Sequence, residues 1–326
     1  MISVARGRTS SPSVSSLFSL GGATGPLIGL LLLCAFLSFA TDSFFTARNL
    51  LNVLDQITVL GIMAVGMTFV ILIGGIDLSV GSILALSMMV MGYLSNELGM
   101  ALPLAIVIAL FASAAAGAVT GLLITEFSVP AFISTLAMMS VARGLANMIT
   151  DGQQIVGFPG WFNLLAIIRH GGFLTVTVGL MLIVFAAGWI FLRNTTGGRC
   201  LYAIGGNQEV ARLAGINVRL STILVYITSA VLSGLAGIVL AARLDSVQPS
   251  SGVSYELDTI AAVVIGGASL SGGTGGIAGT VIGVLVIGVL RNGLNLLGVS
   301  PFTQQVVIGV VIALAVAAEV LKKKKG

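Results

Sequence analysis

Apolar residues run through this chain in long, nearly unbroken stretches, and the length of those stretches is the first thing they report. A helix that crosses a bilayer needs about 20 predominantly apolar residues. Ten stretches approach or meet that length: 26–41, 50–74, 77–94, 100–125, 129–149, 172–192, 220–241, 257–271, 275–297 and 303–321, of which the third and eighth are short. The runs are continuous, not alternating over about ten residues, which argues for helices and against a transmembrane barrel. The predicted fold is all-α, a polytopic membrane protein of about 10 transmembrane helices. One transmembrane domain spans 26–321, between an N-terminal tail at 1–25 and a basic tail at 322–326.

Charge placement supports an even number of crossings, because Lys and Arg accumulate in cytoplasmic loops. With the N-terminus inside, ten of the fifteen basic residues are cytoplasmic: Arg6, Arg8, the four arginines of the 193–219 loop, and Lys322 to Lys325. The other side receives Asp42, Glu97, Asp151, Asp245 and Glu256. Both termini are therefore expected in the cytoplasm. Arg143 and Arg291, near helix ends beside Asn147 and beside Asn292 and Asn295, read as snorkelling residues, with pathway lining as the alternative.

Two of the apolar runs are interrupted in the same way. IGGIDLSVGS at 73–82 and IGGASLSGGT at 265–274 are identical at six of ten positions. A Gly-Gly pair followed by polar residues leaves backbone groups unpaired, which lipid does not tolerate but a protein-lined cavity does. Paired interruptions of this kind point to a translocation pathway, with Asp77, Ser79, Ser269, Ser271, Asn292 and Asn295 as candidate lining residues. Asp77 and Ser79 could equally cap the helix that follows. After the second repeat, Gly275, Gly279 and Gly283 recur every fourth residue as a helix contact surface.

The longest basic loop runs from Arg193 to Arg219. Within it Asn207 is a good N-cap, Glu209 suits a positive first turn, Arg212 follows one turn later, and Gly215 can end the helix in a left-handed conformation. The spacing predicts a helix of about two turns, too short to be stable alone. It is expected to dock, on its own chain or on a partner, with Val210, Leu213 and Ala214 as the apolar contact.

Composition narrows the chemistry. Apolar residues make up 57% and charged residues 8%, against roughly 25% charged in soluble domains. Cys34 and Cys200 indicate no disulfide framework, and a single histidine, His170, makes a histidine-based metal or acid–base site improbable. No catalytic residue or metal ligand is assigned. The stretch GGIAGTVIG lacks the lysine of a phosphate loop, and the lysine tail reads as a topology signal, not a nucleic-acid patch.

Four stretches in order along the chain resemble the ribose-type permeases of carbohydrate importers of the ABC class, within the branched-chain amino acid and ribose permease superfamily. They are VGMTFVILIGGIDLSVGS (65–82), VPAFISTLAMMSVARGLA (129–146), GGRCLYAIGGNQEVARLAGINV (197–218), and the run from Glu256 to Val299. The resemblance implies a permease subunit of the bacterial cytoplasmic membrane that translocates a monosaccharide, ribose first. It also implies a cytoplasmic ATP-binding subunit that uses ATP and Mg, a periplasmic sugar-binding protein and a second copy of the chain, with lipid around them. No cofactor is expected on the chain itself. The segment Asn207 to Gly215, with Glu209, Arg212 and Leu213, resembles the coupling helix that sits in the ATPase. Arg291 and Glu126 depart from the family's usual residues at those places. A self-sufficient secondary transporter with Asp77 as an ion relay is the competing reading; an intramembrane enzyme would need a clustered reactive set that the spans lack.

Overall fold

The computed structural model describes residues 24–325. Its helices are α1 (Thr24–Ala40), α2 (Ala47–Leu72), α3 (Val80–Gly92, prolonged by a π-helical turn Tyr93–Glu97), α4 (Leu102–Thr125), α5 (Ala131–Met148), α6 (Gly160–Ile167), α7 (Val176–Asn194), α8 (Thr196–Gly206), α9 (Gln208–Leu213), α10 (Val218–Leu244), α11 (Tyr255–Ile265), α12 (Ile277–Leu296) and α13 (Pro301–Lys325). Each of the ten apolar runs falls on one of these. Among the described residues, five helices (α2, α4, α7, α10 and α12) are long and apolar enough to cross a membrane by length and composition. α3 and α11 are short because each borders an interrupted segment. The expected tail at 1–25 lies outside the described residues as far as residue 23, as do the side chains of Lys322 to Lys325.

α10 is the central pillar, packed along α4, α2 and α3. Burying apolar surface gives little net gain when the alternative is lipid, so close backbone approach and dispersion must hold such helices together. The sequence supplies small residues where α10 is met. A Cβ on Gly66 of α2 would lie 2.8 Å from the Ser229 Cα, and one on Gly121 of α4 would lie 2.8 Å from the Ile223 Cα. By contrast α4 turns Leu104, Val107, Phe111, Val119 and Leu122 outward, a large apolar face suited to lipid.

Two connections define one side of the molecule. Residues 149–175 and 245–254 are joined by antiparallel strands β1 (Ile155–Val156) and β2 (Ser246–Val247), with Ile155 opposite Val247. On this strand side the Asp55 carboxylate takes Arg169 at 2.5 Å and the Thr175 hydroxyl at 3.1 Å, while Arg243 donates to the Asp55 carbonyl. The opposite, loop side carries α8 and α9, and there Glu126 forms an ion pair with Arg219.

Candidate functional site

Both repeated sequences end a helix by the same device. After α2, the Gly75 N–H bonds the Val70 carbonyl and the Gly74 N–H bonds the Ile71 carbonyl, each at 2.9 Å, with Gly74 at φ +78°. After α11, the Ala268 N–H bonds Val263 at 3.2 Å and the Gly267 N–H bonds Val264 at 2.9 Å, with Gly267 at φ +92°. This double bond around a left-handed residue satisfies the last carbonyls of a helix where water cannot. The left-handed position is the first glycine of the pair in one repeat and the second in the other.

Beyond the first stop the chain runs non-helical to Val80, and Asp77 organises it. Asp77 is 1% exposed. Its Oδ1 accepts the Ser79 N–H at 3.0 Å and the Ser79 hydroxyl at 2.5 Å, and its Oδ2 accepts the Ser229 hydroxyl of α10 at 2.9 Å. Three donors around one buried carboxylate offset the cost of placing it within a membrane protein. Ser79 occupies the N-cap position of α3 but makes no side-chain cap bond, because its hydroxyl is turned back to Asp77. Ser229 sits in the otherwise unremarked sequence YITSAVLSG and carries no sequence signal of its own.

The second interrupted segment is self-bonded. The Ser269 N–H donates to the Thr274 carbonyl at 3.0 Å, the Ser271 N–H to the Ser269 hydroxyl at 3.2 Å, and the Gly272 N–H to the Ser269 carbonyl at 2.9 Å. Ser269 is buried and Ser271 exposed. The Gly273 N–H reaches across to the Leu72 carbonyl at the end of α2, at 2.9 Å, and a Cβ on Gly272 would lie 2.9 Å from the Gly74 nitrogen, so the two repeats meet backbone to backbone. Gly279 and Gly283 lie against Gly266 and Ala262 of the preceding helix and its stop, and Gly275, before α12 begins, lies against Ala268.

The loop side is joined to the same point. α8, not expected from the sequence, ends at Gly205 and Gly206, and a Cβ on Gly205 would collide with the Leu72 carbonyl and the Gly273 nitrogen. Tyr202 of α8 donates to the Gly275 carbonyl at 2.9 Å; burial pushes its phenol above the ordinary value, which keeps it a donor. One residue beyond Gly206, Asn207 caps α9 by accepting the Val210 N–H at 3.0 Å, and Gly215 closes it at φ +84°. Glu209 and Arg212 pair at 3.4 Å on the surface.

Within the chain, α9 is held by a residue other than the three expected to make its docking contact. Ala211, 2% exposed, packs with Ile204, Val218, Ile73 and Ile216, while Val210 is 60% and Leu213 88% exposed. α9 therefore rests on its own chain through Ala211 and turns Val210 and Leu213 outward. Ile73, the first residue of the first repeat, belongs to that contact.

The two arginines read as snorkelling do something else. Arg143 on α5 donates to the carbonyls of Pro249 and Ser251, and more weakly to that of Gly81 at 3.4 Å. Arg291 on α12 is ion-paired with Asp258 on α11. In each case acceptors brought by another part of the chain replace the interface as the destination of the charge. Asn292 and Asn49 exchange two hydrogen bonds of 2.9 Å between α12 and α2, and Asn295 accepts from Gln304 at 2.8 Å. The two residues that depart from the family's pattern, Arg291 and Glu126, thus both have charge partners within the chain. Among the described residues no group of His, Cys, Asp or Glu could hold a metal ion.

Residues 49–316 match the family described as the branched-chain amino acid transport system permease component. The chain is 49% identical over 304 residues to the ribose import permease protein RbsC of Escherichia coli K12, covering 90% of this chain and 92% of that one. It is 48% identical over 304 residues to RbsC of Bacillus subtilis 168, covering 92% of each. It is 37% identical over 317 residues to the L-arabinose transport system permease protein AraH of Escherichia coli K12, covering 91% of each. No solved structure matches the chain. Broken helices tied to a docked loop on a multi-pass helical scaffold, and similarity along most of the chain to sugar permeases, agree in one assignment: this chain belongs to the ribose-type ABC permease family.

Proposed function

We propose that the chain is the membrane-spanning subunit of a bacterial ATP-driven importer for a monosaccharide, ribose first among them. The observation that carries the reading is α9. It is anchored inward by Ala211 and presents Leu213 and Val210 outward beside Glu209 and Arg212, as a helix awaiting a partner does. The partner is a cytoplasmic ATP-binding subunit, which hydrolyses ATP with Mg. On this reading Arg193, Arg199, Arg212 and Arg219 mark the loop side as cytoplasmic. The strand side then faces the periplasm and a sugar-binding protein, both termini are cytoplasmic, a second copy completes the subunit pair, and lipid covers the outer face of α4.

Mechanically, closure of the ATPase pair displaces α9, and α8 carries the displacement into the junction of Leu72, Gly205 and Gly273. Both interrupted segments meet there, so both shift together and the bundle alternates in access. Asp77 serves this scheme as a fixed pin between the first segment and α10. Its three short donors favour that role over ion relay.

The test is sugar uptake by proteoliposomes holding the chain with its ATPase, supplied with binding protein, ribose and ATP. Uptake that requires ATP and the binding protein, and that is lost with Leu213→Asp or with Glu209 and Arg212 both replaced by Ala, is the expected result. Uptake by the chain alone under a proton or sodium gradient would overturn it.

A further inference from the structure

Two buried side-chain atoms among the described residues have no hydrogen-bond partner, the Arg291 Nε and the Tyr226 hydroxyl. Arg291 still places its charge on Asp258 through another nitrogen. Tyr226 on α10 has no such outlet. It is 1% exposed, and a hydroxyl buried without a partner costs stability that a phenylalanine at the same place would not.

The hydroxyl points at the first interrupted segment. A Cβ on Gly75 would lie 2.5 Å from it, so the second glycine of IGGID makes room for it. Three residues farther on, on the same face of α10, Ser229 donates to Asp77 Oδ2 at 2.9 Å. A carboxylate offers about four acceptor positions, and Asp77 receives three bonds, two of them on Oδ1. An unused acceptor position on Oδ2 and an unused donor on Tyr226 therefore lie close together on one face of α10.

The two sides of this contact are held unequally. α10 is gripped here: a Cβ on Gly117 of α4 would lie 2.5 Å from the Tyr226 carbonyl oxygen, and one on Gly66 of α2 lies as close to Ser229 as described above. The carboxylate is held more lightly. Two of its three bonds come from Ser79 and travel with it, so only the Ser229 bond ties it to α10. Tyr226 is nearer the loop side than Ser229 by three residues, about 4.5 Å of helix rise, and a helical side chain leans farther toward that N-terminal end. From the same side α8 reaches Leu72, at the end of α2 and just before this segment.

We propose that Tyr226 is a positioning residue of the transport cycle: when the junction at Leu72 draws the segment toward the loop side, Asp77 exchanges the Ser229 hydroxyl for that of Tyr226. This rests on the importer reading above. Asp77 stays pinned to α10 in both arrangements, and only its donor changes. The segment thus has two discrete positions, each closed by a hydrogen bond to a carboxylate, and the unpaired hydroxyl narrows the gap between them by raising the energy of the first.

The experiment compares Tyr226→Phe with the unaltered chain in the complete importer in liposomes, and follows thermal unfolding of both. The variant should unfold at the same or a higher temperature, since the bond it forgoes is absent from the arrangement described. Its maximal rate of ribose uptake should nonetheless fall about tenfold, the effect of one hydrogen bond to a charged group, with half-saturating ribose unchanged. Ser229→Ala weakens the opposite arrangement; added to Tyr226→Phe, it should lower the unfolding temperature and yet recover part of the lost uptake. A lower unfolding temperature for Tyr226→Phe alone would mean that the hydroxyl is bonded in the arrangement described, and would overturn the proposal. Unchanged uptake, or a double variant no faster than Tyr226→Phe, would overturn it as well. An unaltered chain that takes up no ribose fails the importer reading instead.

Discussion

Gly205 and Gly206 are adjacent in a Gly-Gly pair, yet their replacement by alanine should have opposite effects. A Cβ at 205 falls on the Leu72 carbonyl oxygen and the Gly273 nitrogen, two backbone atoms already joined by a 2.9 Å hydrogen bond. Neither atom can rotate aside, so α8 must retreat or the bond must break. Overpacking costs about 1–3 kcal/mol and the lost bond about 1 kcal/mol, against a helix gain of roughly 0.5–1 kcal/mol from removing a glycine. The net loss for Gly205→Ala is then about 1–3 kcal/mol, a Tm lowered by roughly 2–9 °C at about 2–3 °C per kcal/mol. At 206 a Cβ meets nothing, and Gly206→Ala should be neutral or raise Tm slightly. Thermal unfolding of the detergent-solubilised chain, followed by thiol reactivity of Cys34 and Cys200, measures both. In the assembled importer Gly205→Ala should also depress uptake more than ATP hydrolysis, because the path from α9 to the interrupted segments is what it disturbs. Equal shifts for the two variants, or the larger loss at 206, would refute the junction.

Three further outcomes are expected. Arg291→Met strands the Asp258 side chain, which is 7% exposed, and should cost about 3 kcal/mol, near the low end for a buried pair because Arg291 itself is 37% exposed; adding Asp258→Leu should restore most of it, and additive losses in a thermal-unfolding cycle would contradict this. Asn49→Ala removes the reciprocal amide pair with Asn292 and should destabilise by about 1–2 kcal/mol, with Asn292→Ala costing little more once Asn49 is gone. Asp77→Asn keeps an acceptor for Ser79 and should retain ATP-driven uptake, whereas Asp77→Ala leaves the Ser79 and Ser229 hydroxyls unpaired and should cost about 1–3 kcal/mol; abolished uptake with normal folding in the Asn variant would instead favour an ion relay.

The helical class and the positions of the two breaks were readable from the chain because long apolar runs and a Gly-Gly pair within them have few physical interpretations. α9 was readable for a local reason: Asn207 and Gly215 are cap residues that act on their own neighbours. α8 was not, since the glycines of TGGRCLYAIGG disfavour a helix by propensity and Gly205 is required by contacts that arrive from Leu72 and Gly273. Arg143 and Arg291 illustrate the same limit. A sequence gives an arginine's preference for the interface but not the carbonyls or the Asp258 carboxylate that tertiary structure brings within reach. β1 and β2, of two residues each, are too short to show any alternation.

α11 has a consequence for how the chain is made. It has eleven residues, with Glu256 and Asp258 in its first turn. At about 1.5 Å per residue it reaches roughly 16 Å, about half of a hydrocarbon core near 30 Å, and the two carboxylates of its first turn disfavour insertion further. Such a segment does not leave the translocation channel for lipid by itself. What makes it acceptable is synthesised later: Gly279 and Gly283, against which it lies, and Arg291, which pairs with Asp258. The segment must therefore wait in the channel until α12 has emerged, and the two enter the bilayer as one hairpin with the second break as its tip. A chain truncated after Gly276 and released from the ribosome should leave 255–265 accessible to water, and one truncated after Leu296 should not.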